Sequence, residues 1–200
     1  MFWWDPMYFV FALPALILAL YAQMKVQSAF NKYSAIPNQR RLSGFEAAQY
    51  LLRASGLSHV DVEGAQGVLA DHYDPRRKVL RLSPQVATRP SIAALGVVAH
   101  EVGHALQDNQ AYFPLRVRSG LVPLVNFGSW LGPILFLVGW LFLPTSNLAW
   151  IGVMLFALSA VFALVTLPVE LDASRRALQL LTVNGLVVSQ EEKRGVSQVL

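Results

Sequence analysis

The stretch His100-Glu101-Val102-Gly103-His104 decides how this chain is read. It lies within Ser91–Gln107, which is almost entirely apolar outside these five residues. Two imidazoles four positions apart share one helix face, about 6 Å apart, so both can reach one metal ion. The intervening Glu101 points to the adjacent face, where it can touch water on such an ion rather than the ion itself. A carboxylate and two imidazoles are costly inside so apolar a helix unless something binds them. The pattern is HExxH. It predicts a metal helix beginning near Ser91, with His100 and His104 as ligands and Glu101 as a base.

The remainder of the chain points to a bilayer. Of 200 residues, 54% are hydrophobic and 14% charged, with a mean hydropathy of +0.44. Apolar content is above and charge below the range of soluble globular proteins. Three uncharged segments, Met7–Ala22, Leu121–Leu143 and Leu148–Leu167, have or approach the length that crosses a ~30 Å hydrocarbon core. Phe2, Trp3 and Trp4 extend the first as interfacial aromatics. No positive residue precedes this segment, so it reads as a retained anchor rather than a leader peptide. Pro144-Thr145-Ser146-Asn147 makes a tight polar turn between the second and third, which then form a helical hairpin. Gly128 and Gly132 in the second span make a GxxxG pair, better explained by packing on a neighbouring span than by dimerisation.

The net charge is +4, but the cations flank the apolar segments. Lys25, Lys32, Arg40 and Arg41 follow the first span, Arg116 and Arg118 precede the second, and Arg175, Arg176, Lys193 and Arg194 follow the third. A three-span chain thereby has all its Lys and Arg on one side, which the positive-inside rule makes cytoplasmic. This pattern predicts topology rather than nucleic-acid binding. The chain has no cysteine, which excludes disulfides and thiolate zinc sites and leaves His and carboxylate as ligands.

Four regions follow: an anchor over 1–23, a small catalytic α+β unit over 24–118, a transmembrane hairpin over 119–168 and a cytoplasmic-side helix over 169–200. Within the second, Ser43-Gly44-Phe45-Glu46 has the capping-box pattern before a stripe of Phe45, Ala48, Leu51 and Leu52, and Gly56 ends that helix. His59–Val62, Gly67–Ala70 and Lys78–Leu82 read as strands, with Asp74-Pro75-Arg76-Arg77 as a turn. The open edge of the strand before the metal helix would hold an extended peptide by β-addition. A third metal ligand is still needed. His59, His72 and the later carboxylates are available, and topology favours Glu170, just past the third span. Glu170 could instead be a membrane-exit charge paired with Ser174 or Arg175. A His, His, Glu set gives a gluzincin-type centre, in an α-helical membrane protein with a small zincin-like α+β domain.

His100 to Gln107 (HEVGHALQ), Asp71-His72-Tyr73-Asp74-Pro75 and Glu170-Leu171-Asp172-Ala173-Ser174-Arg175-Arg176-Ala177 together resemble the YugP-type neutral zinc metallopeptidases of bacteria. The resemblance runs from the first span to about residue 196. It implies a membrane-bound zinc (Zn2+) peptidase of the bacterial cell membrane, acting on a peptide or protein substrate, with His100 and His104 as ligands and Glu101 as catalytic base. Analogy with HtpX-type membrane peptidases implies Glu170 as third ligand. Members of the family carry a further apolar segment after Gly195–Leu200, where this chain stops. In the implied reaction zinc activates water, Glu101 moves the proton to the leaving amine, and a further donor stabilises the oxyanion. His72 and Tyr73, beside a candidate strand, are the candidates for that donor, and Asp172 for a hydrogen-bond partner of a ligand imidazole. The rival readings are a catalytically silent membrane protein with a structural zinc, and a membrane scaffold without metal.

Overall fold

The structure, a computed structural model, describes residues 6–67, 70–143 and 147–200. It is mostly helical, with one small sheet: α1 (Pro6–Ser34), α2 (Gly44–Ala54), β1 (Asp61–Gly64), β2 (His72–Asp74), β3 (Val79–Leu82), α3 (Pro84–Thr88), α4 (Ile92–Asn109), α5 (Phe113–Leu141), α6 (Leu148–Val183) and α7 (Gln190–Val199).

α4 is the hub. Ser91 caps it, its hydroxyl accepting from the Ala94 N–H at 3.1 Å, which satisfies one of the free amides of the first turn. Pro90 and Ile36 carbonyls take backbone bonds from Asn38 and Ile92, fixing the entry to the helix. The helix is buried along nearly its whole length, and its small residues allow neighbours to come close. α2, α7, the last turns of α1 and the far half of α6 all pack on it, sharing one core that includes Phe30, Leu51, Leu95, Val98, Ala177, Leu181 and Val196. The core of the α+β unit is therefore completed by residues from beyond the hairpin.

α2 has the full capping box: Glu46 N–H to Ser43 Oγ at 3.3 Å and Ser43 N–H to Glu46 Oε2 at 2.8 Å. Its buried stripe is Ala47, Ala48, Leu51 and Leu52. Phe45, expected inside, is exposed; it lies on the face of α2 turned away from α4. Gly56 ends the helix with a left-handed φ of 71°.

The sheet has the order β1-β3-β2, with β1 parallel and β2 antiparallel to the central β3. Sequence expectations change here. β1 begins two residues later than His59. The second described strand is His72–Asp74; of the expected Gly67–Ala70 strand, Val68 and Leu69 lie outside the described residues. Asp71 accepts from the Ser83 N–H and hydroxyl, pulling the chain alongside β3 just before His72. Asp74 Oδ1 then accepts from the Arg76 and Arg77 N–H groups and closes the hairpin turn. Finally, the strand before the metal helix, β3, has both edges paired. The free edge beside α4 belongs to β2.

α5 and α6 form an antiparallel pair, each long and apolar enough to cross a membrane, with mean hydropathies of 1.8 and 2.5 over their most apolar stretches. Those stretches are almost wholly exposed, unlike the core helix of a soluble protein. The first expected span, Met7–Ala22, contains side chains outside the described residues, as do Phe2, Trp3 and Trp4; of the hairpin turn, residues 144–146 also lie outside them. Glycines set the α5–α6 distance. A Cβ on Gly128 would lie 2.7 Å from the Leu155 carbonyl oxygen, and one on Gly152 would lie 2.5 Å from that of Gly132. The GxxxG pair thus packs on the third apolar segment. Gly152→Leu should destabilise the hairpin by about 1–3 kcal/mol, read as a lower denaturant midpoint in micelles with an unchanged slope.

Candidate metal centre

His100 and His104 project from one face of α4 with their rings perpendicular and their centroids 4.7 Å apart. Across from them α6 delivers Glu170. Its Oε2 lies 3.1 Å from His100 Nε2 and 3.4 Å from His104 Nε2. The three ligand-type atoms all lie within 4.8 Å of one another. The helix crossing that permits this is at Gly103, where a Cβ would lie 2.7 Å from the Ala173 carbonyl oxygen. Only a hydrogen side chain lets α6 approach this closely, one residue from His104 and three from Glu170.

The far sides of both imidazoles are held. Gln107, fully buried, donates from Nε2 to the Val169 carbonyl at 2.9 Å and to Asp172 Oδ2 at 2.8 Å. Both partners only accept, so the amide has one allowed orientation. Its Oε1 therefore faces His104 Nδ1, at 3.0 Å. That nitrogen must carry the proton, and the Nε2 lone pair is left for a metal. Ser174 Oγ stands 3.3 Å from His100 Nδ1. Asp172 also pairs with Arg176 one turn on. Asp172 thus reaches the His104 imidazole through Gln107 rather than directly.

Glu101 is 9% exposed, and burial pushes its carboxyl pKa above the ordinary range, against the pull of the two nearby imidazoles. Its Oε2 accepts from the Tyr73 backbone N–H at 3.0 Å, so the outer edge of β2 meets the glutamate of the HExxH motif. The Tyr73 hydroxyl points elsewhere. It donates to Asp108 Oδ2 at 2.8 Å, a carboxylate also paired with Lys78, and burial followed by Asp108 holds the phenol well above its ordinary pKa. His72 is exposed, with Nδ1 2.8 Å from the Ala70 carbonyl and Nε2 facing Arg81 at 3.4 Å. His59 is exposed before β1 and lies apart from the cluster.

These groups line one cleft of about 310 Å3. His72, Tyr73, Glu101 and the three ligand-type residues form one side of it. Leu115, Arg118, Ser119 and Val122 of α5 form the other. Arg118 Nη2 is 3.6 Å from Glu170 Oε1, so Glu170 is paired with the imidazoles and with a guanidinium, not with Ser174 or Arg175. Two imidazole nitrogens and one carboxylate oxygen converge with an open side toward a cleft. This donor set suits zinc in its three-ligand, catalytic arrangement. Sequence reasoning missed Gln107 and Arg118. Gln107 had a signal: it sits three residues from His104 on the same helix face, a polar group in an apolar helix. Arg118 had none, because its place depends on how α5 packs.

The sequence matches the family described as "Putative neutral zinc metallopeptidase" over residues 8–200. The chain belongs to this family. Across 195 residues this zinc metallopeptidase family member is 45% identical to the "Putative membrane protease YugP" of Bacillus subtilis (strain 168), covering 97% of this chain and 86% of the relative. No solved structure matches. If Gln107 fixes the ligand tautomer of a zinc-peptidase-family centre, Gln107→Ala should weaken zinc about 10–100-fold, measured by competition with a chromogenic chelator, with the helical content retained.

Proposed function

We propose that this chain is a membrane-bound zinc metalloendopeptidase that hydrolyses peptide bonds. The observation that carries the reading is the convergence of His100, His104 and Glu170 beside a buried Glu101 on the wall of an open cleft. Zinc held by the two Nε2 atoms and the Glu170 carboxylate would supply a Lewis acid that polarises a peptide carbonyl and lowers the pKa of water to about 7. Glu101 is the general base. Buried beside the cluster, it is placed to take the proton from water and then give it to the leaving amine.

Negative charge developing on the carbonyl oxygen needs a donor besides the metal. The candidates on the β2 side are His72 and the Tyr73 backbone N–H, since the Tyr73 hydroxyl is held by Asp108. Both are occupied at rest, His72 by the Ala70 carbonyl and Arg81, and the Tyr73 N–H by Glu101, so substrate must displace these partners before either donates. Gln107 and Ser174 orient the imidazoles, and Arg118 holds the second oxygen of Glu170.

In this reading residues 1–23 anchor the chain and 119–168 form a transmembrane hairpin. Residues 24–118 and 169–200 together make a zincin-like, gluzincin-type catalytic unit. The Lys and Arg bias supports a cytoplasmic position for that unit, and the partners are the lipid bilayer and a peptide or protein substrate.

Zinc stoichiometry and hydrolysis, measured together, test the proposal. Glu101→Gln should keep zinc and lose about 10²–10⁴-fold in kcat. His104→Ala should lose the metal, and Glu170→Ala should bind it far more weakly. Zinc retained by the unaltered protein with no hydrolysis of any peptide would leave a structural staple instead.

A further inference from the structure

The geometry points to a narrower substrate class, resting on the peptidase reading: polypeptides anchored in the same membrane, cut where the chain leaves the bilayer in an extended stretch. Height along the helices is the argument. The apolar segment within α6 ends at Leu167. Glu170 follows three residues later on the same helix, past Pro168, which at 1.5 Å per residue is about 5 Å beyond the hydrocarbon. His100 and His104 lie within 3.4 Å of its carboxylate. The interfacial layer outside the hydrocarbon is about 5–7 Å deep on each face. The metal centre therefore sits within the headgroup layer, not above it.

The opposite wall of the cleft agrees. Val122 lies inside the apolar segment that begins at Leu121, yet it lines the same cleft as the metal cluster. Leu115 and Val122 supply apolar contacts on that wall beside Arg118 and Ser119. Arg118 sits at the mouth of this span, where a cation ordinarily reaches for lipid phosphates. It is turned inward to Glu170 instead, which keeps the α5 wall part of the site.

A soluble peptide would have to enter the headgroups to reach such a cleft. A chain emerging from its own membrane anchor already passes at that depth. The bond must also be accessible in an extended backbone, because β2 offers a strand edge. A peptide bond within an intact transmembrane helix has its backbone bonded internally and does not suit that edge.

The test uses the full chain with zinc, co-reconstituted into phosphatidylethanolamine–phosphatidylglycerol vesicles with an anchored reporter. The reporter is one apolar helix followed by a sequence-diverse linker library, and cut sites are mapped by mass spectrometry. Cleavage should fall within the first six or so residues after the anchor. Inserting a 20-residue helical spacer, about 30 Å long, between anchor and library should slow it at least tenfold. Soluble denatured casein should be cut at least tenfold more slowly still, and Glu101→Gln should abolish all cleavage. Equal rates on the spaced reporter or on casein would overturn the juxtamembrane assignment while leaving the peptidase intact. No cleavage of any substrate by zinc-loaded protein would overturn both.

Discussion

The approach of α6 to α4 at Gly103 and Ala173 is the constraint on which the rest depends. The two imidazoles come from one helix and the carboxylate from another, seventy residues later in the chain. No local rule brings them together. What does so is the absence of a side chain at Gly103, which lets the Ala173 backbone lie against α4. Once those backbones touch, Glu170, Asp172 and Ser174 fall on either side of the contact. The first reaches both imidazoles, the second reaches Gln107 and the third reaches His100. One close contact thus sets both the ligand cluster and its supporting hydrogen bonds.

The same contact explains why the compact part is built from distant pieces. α4 is too apolar to stand exposed, and the short sheet covers little of it. Ala177 and Leu181 of α6, with Val196 of α7, close the core over it. The core of this unit is therefore incomplete without the chain beyond the hairpin, whose two long apolar helices pair through Gly128, Gly132 and Gly152.

Much of this was legible in the sequence, for reasons that are local. The HExxH spacing, the Ser43–Glu46 capping box and the Gly56 stop each express themselves within a turn or two of helix, and the two long apolar runs each lie within a single helix. The strands were read less well. β2 is only three residues long and owes its place to Asp71 reaching across to Ser83, a contact between chain positions that no periodicity links. Phe45 shows the limit of hydrophobic stripes, since an aromatic residue can as well face outward when the partner helix fills the other side. Arg118 was invisible for a similar reason, because its role exists only when α5 leans over the cleft. Gln107 was readable and passed over, a buried amide whose two acceptor-only neighbours turn its oxygen toward the His104 imidazole.

The bond from the Tyr73 N–H to Glu101 has a consequence of its own. A single amide hydrogen cannot serve two acceptors at full strength. A guest strand that pairs with β2 at this position must take that hydrogen for its own carbonyl, and in doing so it uncouples the carboxylate. Under the proposed peptidase reading, docking and arming are then one event: an incoming backbone takes the amide hydrogen and frees the Glu101 carboxylate that would accept the proton.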